Sequence, residues 1–499
     1  MPEPLSRPLA VGGGVAAAVA GLGAGELVAA VFSTAASPLL ATGSLLVDAA
    51  PPQVKSAVIA LFGTGDKPFL VVLLTVLVLL LGAAAGLLQR WRPPLGVVPP
   101  GLAAVVAAIA AVTRTDASVA DVAPSAVAGV IGAFVVVQLV HPVREPSLAR
   151  RRLVSGAAVW AGAGVVAGSF GRSIGSRSRD VSATIARLRL PPVTAPAPPA
   201  PTSLGVTGAA PLVTDAADFY RIDIALTVPA IEPEGWSLEV AGEVDAPFRI
   251  GYDELVAMAG AETAATLVCV SNPVGGDLVG TAVWQGAPLH RLLERARPRQ
   301  GADMVLSSGA DGFSASTPLA LLQDPARGAL LAVGMNGRPL PQIHGFPARM
   351  VVPGLYGYVS ATKWTTRLEV TRFDEQQAYW TPRGYAARAP VKLSSRIDVP
   401  LGGVDAGVVT VAGVAWAQPV GVARVQLQID DGPWRDCELS AAWTDDTWRQ
   451  WRYRWTATPG EHRLRVRATD RSGLVQTAAE TGELPDGPTG LHTVRLAVS

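Results

Sequence analysis

Five long apolar runs occupy the first third of the chain, and they constrain the fold more than any other feature. They cover residues 9–32, 69–88, 97–112, 124–140 and 153–170. A bilayer core about 30 Å thick needs roughly 20 apolar residues per helix. In lipid, backbone polar groups must be satisfied within the segment, which a helix does. Each run therefore predicts a transmembrane helix. A buried soluble helical core is the competing reading, and five such runs in one block argue against it. Charged residues make up only 16% of the chain, against about 25% in an average soluble domain. A further stretch, 37–62, carries Asp48, Pro51, Pro52 and Lys55 and reads as an external loop with interfacial helices.

Lysines and arginines in the short loops set orientation. Arg90 and Arg92 join the second and third runs, and Arg144 with Arg150, Arg151 and Arg152 lies between the fourth and fifth. Both loops are expected to be cytoplasmic, which places the bulk of the chain on the outer side of the plasma membrane. Arg172, Arg177 and Arg179, after the last run, oppose this. A large following domain, however, translocates largely regardless of charge. Ser147-Leu-Ala-Arg-Arg-Arg-Leu-Val154 reads either as an internal twin-arginine export signal or as a plain positive-inside anchor. A net charge of +1 and the lack of a basic stripe interleaved with aromatics argue against nucleic-acid binding.

The organisation expected is a five-span anchor (1–172), a Pro/Ala linker (173–203), an α+β domain (204–385) and a β-sandwich (386–499). Segments around 236–242, 266–270, 304–307 and 330–335 read as strands, and those around 252–258 and 289–295 as short helices. Residues 408–416, 422–430 and 462–470 alternate apolar and polar side chains with period two, between turn signals such as Asp430-Asp-Gly-Pro. A small immunoglobulin-like sandwich fits this pattern. No GxGxxG follows a strand and no Walker loop is present, so the common nucleotide-binding classes are not supported.

The chain has two cysteines, so it carries no disulfide framework. Cys437 is expected on a strand of the sandwich, in a structural role. Cys269 ends an apolar run and opens a Gly-rich polar loop, Cys-Val-Ser-Asn-Pro-Val-Gly-Gly-Asp. A thiolate at such a strand end is a soft metal ligand or a nucleophile. The alternative is a buried cysteine acting as a small hydrophobe.

From about Asp218 onward the chain resembles the sulfite oxidase family of molybdenum enzymes. The resemblance is carried by several motifs in order. They are Phe219-Tyr-Arg-Ile-Asp with Glu232-Pro-Glu-Gly-Trp, Cys269…Asn272…Trp284-Gln-Gly-Ala-Pro-Leu, and Met335-Asn-Gly-Arg-Pro-Leu. His344-Gly-Phe-Pro-Ala-Arg349 with Lys363-Trp364 follows, then Ala468-Thr-Asp with Gly473. The resemblance implies a molybdenum–molybdopterin cofactor with Cys269 as its protein metal ligand. His344, Arg349 and Lys363 are suited to hold the pterin and its phosphate by charge-assisted hydrogen bonds. Arg221 and Asp223 would stand at the cofactor and the mouth of the site, and Asn272, Asp311 and Thr317 are further cofactor candidates. Tyr385 stands where the family's active-site tyrosine would fall, and Tyr356 and Tyr358 are candidates to line the pocket. The C-terminal sandwich would mediate a homodimer.

The chain also departs from the family pattern. Sulfite oxidases carry an arginine soon after the metal-ligand cysteine, which helps bind the sulfite anion, and here the loop Asn272-Pro-Val-Gly-Gly has none. Sulfite oxidation therefore competes with reduction of sulfoxides of the methionine sulfoxide type. Five histidines, of which only His141 lies near an apolar run, do not supply a bis-histidine haem, and no Cys-x-x-Cys-His occurs. An external electron carrier is implied, a c-type cytochrome or a quinone-linked protein. A non-catalytic membrane-anchored binding protein on the same fold is the alternative of another class. A transporter is poorly supported, because the runs hold almost no ionisable residue beyond Glu26.

Overall fold

The computed structural model describes residues 5–32, 36–51, 54, 58, 61–62, 65–113, 118–141, 146–177, 181–193 and 203–499. The linker segment 194–202 and the loop residues Lys55, Arg114, Asp116, Arg144 and Arg179 lie outside the described residues. The chain forms two compact units, Met1–Asp180 with Ile224–Ala230, and Val181–Asp223 with Ile231–Ser499.

The first unit is helical. Five segments are long and apolar enough to cross a membrane: Arg7–Val31, Lys67–Trp91, Leu95–Val112, Val119–Leu139 and Val154–Gly171. Small residues set how closely they pack. A Cβ on Gly14 would meet the Gly82 carbonyl oxygen at 2.0 Å, and one on Gly23 would meet the Gly164 oxygen at 2.0 Å. The N-terminal helix thus touches two neighbours backbone to backbone, the contact that stripes of glycine permit in apolar bundles. Leu80, Val130 and Val166 point outward and are largely exposed. The twin-arginine segment lies within the helix Pro146–Arg177. Residues 38–49 were expected in an external loop with interfacial helices. Pro38–Ala49 is a helix, and its Ala41 packs on Ala110 and Ala111. It is capped by Ser37, whose hydroxyl also donates to the Glu26 carboxylate at 2.6 Å.

The second unit begins with two sheets. One runs Phe248–Gly251, Ser237–Gly242, Thr365–Thr371, Met304–Gly309, Ser314–Pro318. The other joins Ala261–Val268, Val279–Pro288 and Leu330–Met335, with Arg338–Pro339 and Arg349–Val351 both pairing to Leu330–Met335. The C-terminal part holds two four-stranded antiparallel sheets that share one apolar core. Val411, Ala415 and Trp451 come from one sheet, and Val425, Val466 and Leu496 from the other. Along Gly460–Asp470 buried and less buried residues alternate, as the period-two pattern requires. Cys437 lies between two short strands, Arg435–Asp436 and Glu438–Leu439, rather than within one.

The strand that leads to Cys269 is tied to loops of the C-terminal part through Thr266. Its N–H donates to the Asp446 carbonyl at 2.9 Å, and its own carbonyl accepts from Gln418 Nε2 at 2.8 Å. Its hydroxyl accepts from the Trp448 N–H at 2.8 Å and meets the Thr281 hydroxyl. All of this is buried. Replacing Thr266 with valine keeps the shape but leaves the buried Trp448 N–H without an acceptor. The substitution is expected to destabilise the second unit by about 1–3 kcal/mol, read as a lower urea midpoint. Thr266→Ser, which retains the hydroxyl, should restore most of the loss.

Candidate active site

Cys269 follows the last residue of the Ala261–Val268 strand and is buried. Its N–H donates to the Leu278 carbonyl at 3.0 Å, which extends the ladder by one residue. The loop then closes on itself. The Asn272 N–H donates to the Cys269 carbonyl at 3.1 Å, and the Asn272 side-chain oxygen accepts from the Leu278 N–H at 2.9 Å. The thiol is therefore presented from a fixed loop. Burial pushes its pKa up, opposed by hydrogen bonds from Ser271, reinforced by the nearby Glu483 carboxylate and eased by Lys363. Such a thiol ionises when a metal takes the place of its proton.

A second cluster gathers around His344. The turn Gln342–His344 ends at Gly345, with φ of +112°. A Cβ there would lie 3.0 Å from the Cβ atoms of both Arg349 and Lys363. Only glycine lets the three functional residues converge so closely. His344 Nε2 bonds the Ala216 carbonyl at 2.6 Å, and burial holds its pKa down at about 4. The ring is thus neutral with Nε2 as donor, which leaves Nδ1 as an acceptor. That Nδ1 is buried and has no partner among the described residues.

Arg349 is buried, lies over the Trp284 ring at 4.7 Å and donates to the His344 carbonyl at 3.1 Å. Burial pushes its pKa down to about 10. Among the described residues it has no carboxylate in ion-pair range, an uncompensated charge that proteins rarely tolerate. Lys363 donates to Asp223 at 2.9 Å, and burial lowers its pKa to about 8. Arg221 also grips Asp223, at 2.8 Å. Two cations, Arg221 and Lys363, therefore share the Asp223 carboxylate. Asp311, close enough to feel Asp223 and Lys363, has its pKa raised by burial to about 6 and caps a turn through the Phe313 N–H.

A third group bears on Cys269: Ser271 interacts with both its thiol and Tyr385, and Glu483 lies within electrostatic reach of both. Burial raises the Tyr385 pKa, and Glu483 raises it further. The ring packs on Tyr358 and Trp380, at 5.5 Å and 5.2 Å between centroids. Tyr356 is buried within electrostatic reach of the thiol, whereas the Tyr358 hydroxyl is committed to the Ala386 carbonyl at 2.7 Å.

The structure thus brings Cys269, Tyr385, Asp223, His344, Arg349, Lys363 and Asp311 into one neighbourhood. Arg221 stands with Asp223, Lys363 and His344. Asn272 shapes the loop, and the Thr317 hydroxyl is held by the Val359 carbonyl at 2.6 Å. Sequence reasoning did not single out Tyr220, Ser271 and Glu483. Tyr220 is buried, stacks on Phe219 and feels both Cys269 and Arg349. Of these, Ser271 and Tyr220 could have been found as neighbours of quoted motif residues. Glu483 carries no local signal.

Among the described residues no group of three or more His, Cys, Asp or Glu could hold a metal ion. A metal bound by Cys269 would bring its remaining donors from a cofactor. The residues fit such a group. The unpaired cation Arg349 and the cation-rich surroundings of Asp223 suit a phosphate, and the orphaned Nδ1 of His344 suits a hydrogen-bond donor on a heterocycle. When bound, a molybdenum cofactor supplies two-electron oxygen-atom transfer. The chain itself would contribute the Cys269 thiolate and the cations Arg349, Lys363 and Arg221 to hold that group.

Comparison with known proteins agrees with this geometry. Residues 225–380 match the family model described as the oxidoreductase molybdopterin binding domain. Mitochondrial sulfite oxidase of Mus musculus is 31% identical over 304 residues, covering 50% of this chain and 55% of that protein. Nitrate reductase [NAD(P)H] of Betula pendula is 33% identical over 178 residues, covering 30% of this chain and 20% of that one. A solved structure, the sulfane dehydrogenase SoxCD from Paracoccus pantotrophus, aligns with a TM-score of 0.48 at 20% identity, over 55% of this chain and 80% of that one. The chain spans about half the length of the sulfite oxidases it matches. The chain is thus similar to sulfite oxidases across a molybdopterin-binding domain, which supports a molybdenum-cofactor oxidoreductase.

Proposed function

We propose that the chain is a membrane-anchored oxidoreductase that transfers an oxygen atom to or from a small sulfur compound and exchanges the electrons with an external carrier. The observation that carries this reading is Cys269, fixed at a strand end beside a buried, anion-ready cluster of Arg349, Lys363 and His344. Oxidation of the sulfur compound adds one oxygen from water and releases two electrons and two protons. The carrier, a c-type cytochrome or a quinone-linked protein, takes the electrons, and reduction runs the same balance backwards.

The five apolar helices, with large apolar side chains facing outward, support a multi-pass anchor in the plasma membrane. In this reading the second unit is extracytoplasmic and follows the Pro/Ala linker. The domain bounds are 1–172, 173–203, 204–385 and 386–499, and the C-terminal sheets form an immunoglobulin-like domain that mediates a homodimer. The arginines before the last span would direct export of a domain already folded around its cofactor. Changing Arg150 and Arg151 to lysine is then expected to leave the second unit protected from external protease, while the earlier spans still insert. Unchanged protease sensitivity would rule that signal out.

Full-length protein made in cells that synthesise the cofactor should contain about one molybdenum per chain by elemental analysis, and Cys269→Ser should abolish turnover. Well-folded protein with neither metal nor pterin would favour a binding role instead.

His344 gives a pH dependence. Its folded pKa, about 4, lies below the ordinary 6.5. The unfolded chain therefore binds more protons between these values. The stability it contributes is full above 6.5 and is lost as pH falls toward about 4, by up to about 3 kcal/mol. His344→Gln should flatten this part of the unfolding free energy measured against pH.

A further inference from the structure

We propose that the helical unit binds a neutral, lipid-soluble quinone in the cavity between its first four spans, with the Ser125 hydroxyl donating to a quinone carbonyl. The proposal rests on the membrane-anchor and oxygen-transfer readings above and names a carrier for the electrons.

A cavity of about 570 Å³ lies within the helical unit, inside the range of about 300–1,000 Å³ that small-molecule sites occupy. The short helix Pro38–Ala49 supplies part of its wall through Pro38, Leu39, Thr42 and Leu46. With 12 residues this helix rises about 18 Å, too little to cross a bilayer core of about 30 Å. It serves as a wall, not a span. The helix Ala123–Leu139 contributes Ser125, Gly129, Gly132 and Val136, whose spacing places them on one face. Leu102 and Val106 also line the cavity and are exposed, which marks an opening toward the side of the bundle.

The lining is apolar except at two hydroxyls, those of Thr42 and Ser125, and no charged residue contributes to it. Thr42 donates to the Pro38 carbonyl at 2.7 Å, as Thr75 does to Val71 at 2.8 Å and Thr113 to Ala110 at 3.1 Å. A hydroxyl on an apolar helix ordinarily returns to a carbonyl of the preceding turn in this way. Ser125 does not. It is fully buried, and its hydroxyl has no partner among the described residues. A hydroxyl orphaned away from water is unfavourable until a ligand oxygen accepts from it.

These features select the ligand. A phospholipid headgroup would find no charged partner in the lining. An apolar chain matches the leucine and alanine walls and leaves past Leu102 and Val106, while a carbonyl at its head accepts from Ser125. A quinone has both parts. It takes up two electrons and two protons to become a quinol, the same balance that oxidation of a sulfur compound releases.

The test uses the full-length protein in detergent, with tritiated decylubiquinone as the probe and equilibrium dialysis against the same micelles. Saturable binding is expected. Ser125→Ala should weaken it about fivefold, the loss of one hydrogen bond. The melting temperature of the quinone-free protein should not fall, because that hydroxyl holds nothing in the protein. Ser125→Thr, which keeps a hydroxyl, should retain most of the affinity. Ala103 is half-buried on the cavity wall, and Ala103→Phe, which fills the space, should weaken binding by about tenfold or more. Neither dioleoylglycerol nor dioleoylphosphatidylglycerol in excess should displace the quinone. Non-saturable uptake, wild-type affinity in Ser125→Ala or Ala103→Phe, or displacement by either lipid overturns the proposal. Failure of the earlier readings appears separately. Release of the protein from membranes by carbonate would remove the anchor, and absent molybdenum would remove the oxygen transfer, and neither alters the dialysis result.

Discussion

The hydrogen bonds of Thr266 are the joint on which the second unit turns. One buried residue satisfies its N–H, carbonyl and hydroxyl on loops of the C-terminal part and on the adjacent strand. The strand that ends at Cys269 therefore cannot shift without the C-terminal sheets. Breaking any of these bonds would leave a buried polar group unsatisfied, which costs more than a bond in water gains. The same joint lets a segment far along the chain deliver Glu483 next to the cysteine. The loop after Cys269 is fastened to these sheets as well: Arg396 donates to the Gly276 carbonyl at 2.7 Å, and His492 packs under Gly275.

On the other side of the sulfur the constraint is electrostatic. A guanidinium buried without a carboxylate, a lysine with its pKa pulled down and a neutral histidine with an unused acceptor are each unfavourable in isolation. Collected in one place they describe a site organised before its ligand arrives. A purely structural ion-pair network would match its charges, and this one does not: one buried carboxylate, Asp223, serves both Arg221 and Lys363. The imbalance favours an anionic group and reduces the reorganisation needed to bind it.

The helical unit obeys a different rule. Its helices approach through glycine faces at Gly14, Gly23, Gly82 and Gly164, where any side chain would collide with backbone. Packing of this kind does not depend on excluding water and so suits an apolar surrounding.

Much of this was legible in the amino-acid order. The five apolar runs dictate long helices because nothing else satisfies the backbone of such segments, and period-two alternation marks strands such as Gly460–Asp470. Cys269, His344, Arg349, Lys363 and Asp223 could be singled out because their chemistry stands beside recognisable neighbours. Thr317 and Asn272 are polar residues whose groups turn out to be held by backbone. Local sequence thus determined the element types, the metal-ligand candidate and the residues of the anion cradle, since these depend on composition within a few residues. Tertiary structure alone decided that Arg349 has no carboxylate in ion-pair range among the described residues and that Tyr385 and Glu483 come within reach of the sulfur. Those are relations between segments distant in the chain, and only the paired strands and the Thr266 joint bring them within hydrogen-bond reach.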